Sequence, residues 1–260
     1  MSDLALLRHQ VRFDLKRFFR DPAGLFYGLG FPLIFLANFL ILLGRNDEVG
    51  HIVGHALVSK YYYLPGVIAL TVVSVAFVDL TVSLTTACER GTLKRVRGTP
   101  VPLWAFIAGR IAATVLVTIL SVTVVVAVGS VAYGVELPGA SAVGALLTLT
   151  IATAALCSMA FAVSAVLPSG NVAAAVTMTV TLVLYFLSGI FAREDNLSHG
   201  VRATAAVFPV KRLFQSLAVA FDPRTTGLAI RGWDLVVLAA WGAGALVVAL
   251  RFFRWQPGAR

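Results

Sequence analysis

Six long apolar runs occupy most of this 260-residue chain: Gly24–Gly44, Leu64–Leu84, Leu103–Tyr133, Val143–Leu167, Asn171–Phe191 and Leu235–Phe253. A helix rises about 1.5 Å per residue, so about 20 apolar residues cross the ~30 Å hydrocarbon layer of a bilayer. Each run is long enough. Inside lipid a helix is also the natural way to satisfy every backbone N–H and C=O within one segment. The sequence therefore predicts an all-α integral membrane protein with six transmembrane helices. Composition points the same way: 59% of residues are apolar and 13% charged, and the mean hydropathy is +0.90, far from a soluble domain.

The basic residues set the orientation. Arg8, Arg12, Lys16, Arg17 and Arg20 precede the first run, and Arg90, Lys94, Arg95 and Arg97 crowd the loop between the second and third. Arg251, Arg254 and Arg260 flank the end of the last, whereas the opposite side has Arg45 and Lys60 in its first loop and no cation near Glu136. The positive-inside rule then places both termini and the second–third loop in the cytoplasm, with Glu136 outside. Six basic residues between Arg193 and Arg231 run against this, although long connections weigh less in the rule. The net charge of +9 is thus read as membrane topology and not as a nucleic-acid surface. Tyr61, Tyr62, Tyr63, Tyr133 and Trp233 are expected as aromatic anchors at one interface, Trp104 and Trp255 at the other.

Leu4–Arg20 has helical periodicity: Leu4, Leu7, Val11, Leu15 and Phe18 share one face, with Arg8, Arg12, Lys16 and Arg20 beside it. Asp21-Pro22 ends that helix. Residues 1–22 are expected to be an amphipathic interfacial elbow helix contacting lipid, and residues 23–260 a single six-span membrane domain. Those charges also exclude a cleaved signal peptide in this segment. Residues 200–227 hold two apolar stretches too short to span, interrupted by Pro209, Lys211 and Arg212; they predict a re-entrant hairpin between spans five and six.

Enzyme constellations are missing. No Gly-x-x-x-x-Gly-Lys phosphate loop occurs, because none of the four lysines follows a glycine, and there is no Gly-x-Ser-x-Gly elbow. His51 and His55 have a spacing that suits a metal on a helix, but they fall in a loop near Asp47 and Glu48 without a third clear ligand, so no metal site is expected. Cys88 and Cys157 are too far apart along the spans for a disulfide. Gly24 and Gly28 form one Gly-x-x-x-Gly, which favours close helix packing. Acidic groups are scarce in the runs, with Asp79 the clear case, within reach of water or Arg90. An ion-coupled secondary transporter would have to use Asp79 as its coupling site. The lack of further relay groups places the energy source elsewhere.

The densest polar signal is Cys88-Glu89-Arg90-Gly91-Thr92-Leu93-Lys94-Arg95-Val96-Arg97-Gly98-Thr99-Pro100. Glu89, Arg90-Gly91-Thr92-Leu93, the basic pair Lys94-Arg95 and Thr99-Pro100 resemble the second–third loop of permease subunits of type-2 ATP-binding-cassette transporters, especially daunorubicin-resistance-type efflux permeases. Ser188-Gly189-Ile190-Phe191 and Phe208-Pro209 extend the resemblance over essentially the whole chain. The family often has a Pro where this chain has Ala192-Arg193-Glu194-Asp195.

The resemblance implies a non-enzymatic membrane subunit with no bound cofactor of its own, ATP and Mg being held by a separate cytoplasmic ATPase. It also implies a second permease copy and export of a hydrophobic or amphipathic cargo (drug, lipid or glycan) across a bacterial inner membrane. Glu89, Arg90, Gly91, Thr92, Leu93, Lys94, Arg95 and Arg97 would couple to the ATPase. Spans one, two and five would line the path, which makes Phe35, Asn38, Thr71, Ser74, Thr177 and Tyr185 candidates.

Overall fold

A helix that starts at Pro22 uses the one position where a missing backbone N–H costs nothing, and span one begins there. In the computed structural model, which describes residues 11–12, 14–42, 48–52, 55–92, 103–191, 200 and 204–252, that span runs unbroken through Pro22–Leu25, a π-helical turn at Phe26–Gly30 and Phe31–Leu42. Its apolar centre, Phe26–Phe39, is the shortest of the set. Span two joins Ser59–Val73, a second π turn at Ser74–Asp79 and Leu80–Glu89. Spans three to six are Leu103–Tyr133, Ala142–Ser164, Gly170–Ser188 and Gly232–Phe252. Among the described residues, spans two to six are each long and apolar enough to cross a bilayer. The all-α membrane architecture is as the apolar runs foretold.

Buried hydroxyls inside these helices mostly donate to the carbonyl one turn back, as Thr71 does to Val67 (2.8 Å) and Thr153 to Leu149 (2.7 Å), so they need no other partner. Span two is the hub: 83% of its apolar window is buried within the chain, against 17% for span six. Span six packs chiefly on span four and leaves its other faces open.

One end of the bundle carries the N-terminal helix, Arg90 and the start of span five; it is called the Arg90 end. At the opposite end three features go beyond the apolar runs, and the second corrects an expectation. First, the connection between spans one and two contains a small antiparallel hairpin, Glu48–Ile52 with His55–Val58, so the chain is not helical throughout. His51 pairs with Ala56 and His55 with Ile52; the two histidines sit on adjacent strands and the helical metal spacing does not exist. Second, Tyr61, Tyr62 and Tyr63 are buried, not interfacial anchors. Tyr62 donates to the Gly189 carbonyl (2.7 Å) and Tyr63 stacks on Phe39 at 4.7 Å. Their place at the start of the central span decides this. Trp104 and Trp233 are exposed.

Third, Asp234, at the start of span six, is fully buried and was not foreseen. Arg212 (3.1 Å), Arg231 (3.0 Å) and the Ser216 hydroxyl (2.9 Å) all reach its carboxylate. Arg212 and Ser216 belong to the strongly amphipathic helix Pro209–Phe221, which buries Leu213, Phe214 and Leu217 against spans two, four and six. This helix falls in the stretch where the sequence predicts a re-entrant hairpin; residues 201–203 of that stretch lie outside the described residues. Protein packing on its apolar face is what allows such an element at membrane depth. Removing one partner of a buried ion pair leaves the other charge uncompensated, at a cost of about 3–5 kcal/mol. Asp234→Ala is therefore expected to lower the thermal stability of the detergent-purified protein sharply, whereas Arg231→Ala, at the solvent-facing side of the pair, should cost far less.

Candidate functional site

Arg110 enters the membrane only two turns into span three, and its long side chain folds back to polar company. It ion-pairs with Asp14 of the N-terminal helix and donates to the Ser83 hydroxyl of span two at 2.5 Å. Residues 11–12 and 14–18 of that helix are described and helical; residues 1–10 lie outside. Phe18 packs on Val75 and Val117, with Leu15 and Leu25 around it. The described part of this helix is therefore docked on spans two and three. Gly28 makes this approach possible: a Cβ there would fall 2.8 Å from Phe18 Cζ and 3.3 Å from Val75 Cγ2. The π turns of spans one and two meet at this level, and such turns often mark functional positions.

Asp79 ends the π turn of span two and lines a tight cavity of about 40 Å³ with Asp14, Arg17, Asp21, Ser83 and Arg110. The charges acting on it are Arg110, Asp21 and Arg17. Arg90, the partner expected from sequence, is not among them. Burial, then neighbouring Arg110, push the Arg17 guanidinium below its ordinary value, while Asp79, Asp14 and Asp21 act in the opposite sense. Asp79 also faces a second, larger cavity of about 620 Å³, where Lys16, Arg17, Arg20 and Arg90 converge.

The coupling segment begins where span two ends. Of the residues assigned to it, Glu89, Arg90, Gly91 and Thr92 are described, while Leu93, Lys94, Arg95 and Arg97 lie outside the described residues. Glu89 does not simply point into solvent. Its carboxylate accepts the Gly170 backbone N–H at 3.0 Å, capping the start of span five. An N-terminal helix end offers unpaired N–H groups and partial positive charge, both of which suit a carboxylate. Gly170 lies so close to span two that a Cβ would come within 2.3 Å of Thr86 Oγ1. Ser169 adds a conventional cap to Val172 N–H at 3.4 Å.

Of the path candidates, Phe35, Ser74 and Tyr185 line one narrow cleft of about 80 Å³ between spans one, two and five. Tyr27, Phe31, Val78, Met178, Thr181, Leu182 and Phe191 also line it and were not among the path candidates of the sequence reading. Phe191 closes the far end among Phe35 (5.6 Å), Phe39 (5.8 Å) and Tyr185 (5.9 Å). The structure does not bring in the other three. Thr71 and Thr177 are buried with their hydroxyls spent on Val67 and Ala173 carbonyls, and Asn38 is exposed away from the cleft. Thr181, one turn beyond Thr177 on the same face, is one of three buried hydroxyls without a hydrogen-bond partner among the described residues, and of the three it alone lines this cleft; the others are Thr118 and Ser121. Its signal in sequence was only its helical spacing from Thr177 and Tyr185. Among the described residues no cluster of three metal-ligating side chains occurs.

The family model of the ABC-2 type transporter matches residues 6–221. This chain belongs to that family. Among curated proteins, none matches it. An ABC-2 permease is the membrane component of transport and not itself catalytic, and its family implies an ATP-binding-cassette partner. The matched stretch includes every site described above, from Asp14 to Phe191.

Proposed function

We propose that this permease pairs with a separately encoded cytoplasmic ATPase that holds ATP and Mg, and with a second permease copy, to export a hydrophobic or amphipathic cargo. The bond from Glu89 to Gly170 is what carries this reading. It ties the end of the ATPase-facing loop to the first residue of span five, which lines the cleft with spans one and two. Movement of the loop then has a direct lever on the path. Leu93, Lys94, Arg95 and Arg97, with Arg90–Thr92, supply the surface that meets the ATPase. ATP-driven closure would bias a two-state arrangement of spans one, two and five, as any partner does that binds one state more tightly. In this reading the Arg90 end is cytoplasmic with both termini, the membrane is a bacterial inner membrane, and residues 1–22 are the elbow of a permease domain spanning 23–260. The loop sequence supports the narrower kinship with daunorubicin-type efflux.

The secondary-transporter alternative needs Asp79 to bind and release a coupling ion. Asp79 instead shares a tight cavity with Arg17, Arg110 and the Asp14 that pairs with Arg110 in the clamp holding the N-terminal helix, and both arginines act on its charge. Asp79→Asn in vesicles with the ATPase is therefore expected to retain most ATP-driven export, and an uncoupler should change little. Transport that persists without the ATPase but stops with an uncoupler would reverse the assignment.

A further inference from the structure

The larger cavity at the Arg90 end has a chemistry that a positive-inside loop alone does not require. Lys16, Arg17 and Arg20 approach from the N-terminal helix and Arg90 from the end of span two, around one volume of about 620 Å³. Two carboxylates line the same space, Asp21 and Asp79, so among the described residues four cations face two acids and positive charge is in excess. Cations serving topology alone point separately into water; here they converge from segments some seventy positions apart in sequence. The volume lies in the usual ~300–1,000 Å³ range of small-molecule sites.

The opposite wall is apolar. Tyr27, Val78 and Met178 line both this cavity and the narrow cleft between spans one, two and five. The cationic chamber thus adjoins the aromatic slot that holds Phe191, these three residues lining both. Along the slot, Thr181 keeps a buried hydroxyl that bonds to nothing among the described residues. Its neighbours Thr177 and Thr71 donate to their own helices. An unpaired buried hydroxyl is costly, and one facing a cleft is poised for a polar atom of an occupant.

We infer that the chamber and slot together bind an amphiphile with an anionic head, phosphate or carboxylate, and an apolar tail. Lys16, Arg20 and Arg90 take the head, with arginine suited to bidentate contact with its oxygens. The slot past Met178 takes the tail, and Thr181 meets a polar atom along it. The inference names the cargo chemistry for the export reading and rests on that reading for its purpose, but binding itself needs no turnover. A permease built for cationic drugs would carry the opposite charge balance at its entrance.

The test uses the full chain in phosphatidylcholine nanodiscs, without ATPase or nucleotide, and radiolabelled dodecyl phosphate as probe. Saturable binding is expected, with dodecyltrimethylammonium and inorganic phosphate each competing at least about ten-fold more weakly. Lys16→Gln with Arg20→Gln should weaken binding about ten-fold by removing head contacts. Met178→Trp should weaken it comparably by filling the mouth of the slot, which covers the case where the elbow variant disturbs folding. Nanodiscs made with phosphatidylglycerol separate the sources. Loss of probe binding there identifies a membrane lipid as occupant, and unchanged binding identifies a single-chain amphiphile; both keep the anionic amphiphile. Equal binding of the cationic amphiphile, equal competition by inorganic phosphate, or indifference to both variants overturns the inference. Because the ATPase is absent, these outcomes stay separate from a failure of ATP-driven export in vesicles, which would remove the function and leave the site.

Discussion

Arg110→Ala is expected to cost about 3–5 kcal/mol, the range for removing one partner of a buried ion pair. The guanidinium is 11% exposed and Asp14 7%, so neither charge has water to fall back on. With Arg110 gone, Asp14 loses this ion pair, Ser83 loses the Arg110 donor, and Arg17 still acts on Asp79. Phe18 in the Gly28 groove would remain as an apolar contact of the N-terminal helix. A drop on the order of 10 °C in melting temperature follows for a domain of this size. The protein supplies its own reporter: Cys157 is fully buried and Cys88 partly so, so a thiol-reactive dye reads unfolding as Cys157 becomes accessible. Replacing both charges, Arg110→Met with Asp14→Leu, should recover much of the loss, because a buried pair exchanged for apolar side chains is often neutral. If Arg110→Ala melted within a degree or two of the parent, the clamp would be decorative.

That clamp also marks the limit of what the sequence made legible. The spans were readable because an apolar run of twenty residues has essentially one solution in lipid. Even there the first was seen as one helix, and its π turn and that of span two were not visible. Arg110, a lone cation near the start of a run, has no local signature that separates a snorkelling side chain from a structural one. Only the fold reveals that its partner lies 96 residues away. Asp234 escaped for the same reason: its partners Arg212 and Ser216 lie on a helix whose path the sequence left open. The three tyrosines show a different failure. An aromatic group at the end of a span reads as a belt, yet three in succession point around the helix. Burial on all sides at the centre of the bundle turned them inward. Of the six path candidates, Phe35, Ser74 and Tyr185 share one cleft, and Asn38, Thr71 and Thr177 do not line it. Thr177 and Thr181 are indistinguishable by pattern, and only the hydrogen bond to Ala173 shows which hydroxyl is already occupied.

Glu89→Ala is expected to leave ATP hydrolysis by the partner largely intact while transport falls about ten-fold, the scale of a lost charged contact of roughly 1.4 kcal/mol. A purely solvent-facing loop charge would affect docking alone. Glu89 instead caps span five, so its loss should also cost the protein about 1 kcal/mol of stability, typical of a lost N-cap. Glu89→Gln separates the two roles: it keeps an acceptor oxygen for the Gly170 N–H but carries no charge. Recovery of transport in Glu89→Gln identifies the cap as the working contact; continued loss identifies charge matching with the ATPase. The cap predicts recovery. Gly170→Ala attacks the same joint from the other side, since its new methyl would meet Thr86 Oγ1 at 2.3 Å and drive the end of span two from the start of span five. Thr86→Ala should relieve that clash and restore transport in the double variant, which a docking role for Glu89 does not anticipate. Normal transport in both Glu89→Ala and Gly170→Ala would mean that loop motion reaches the path by another route.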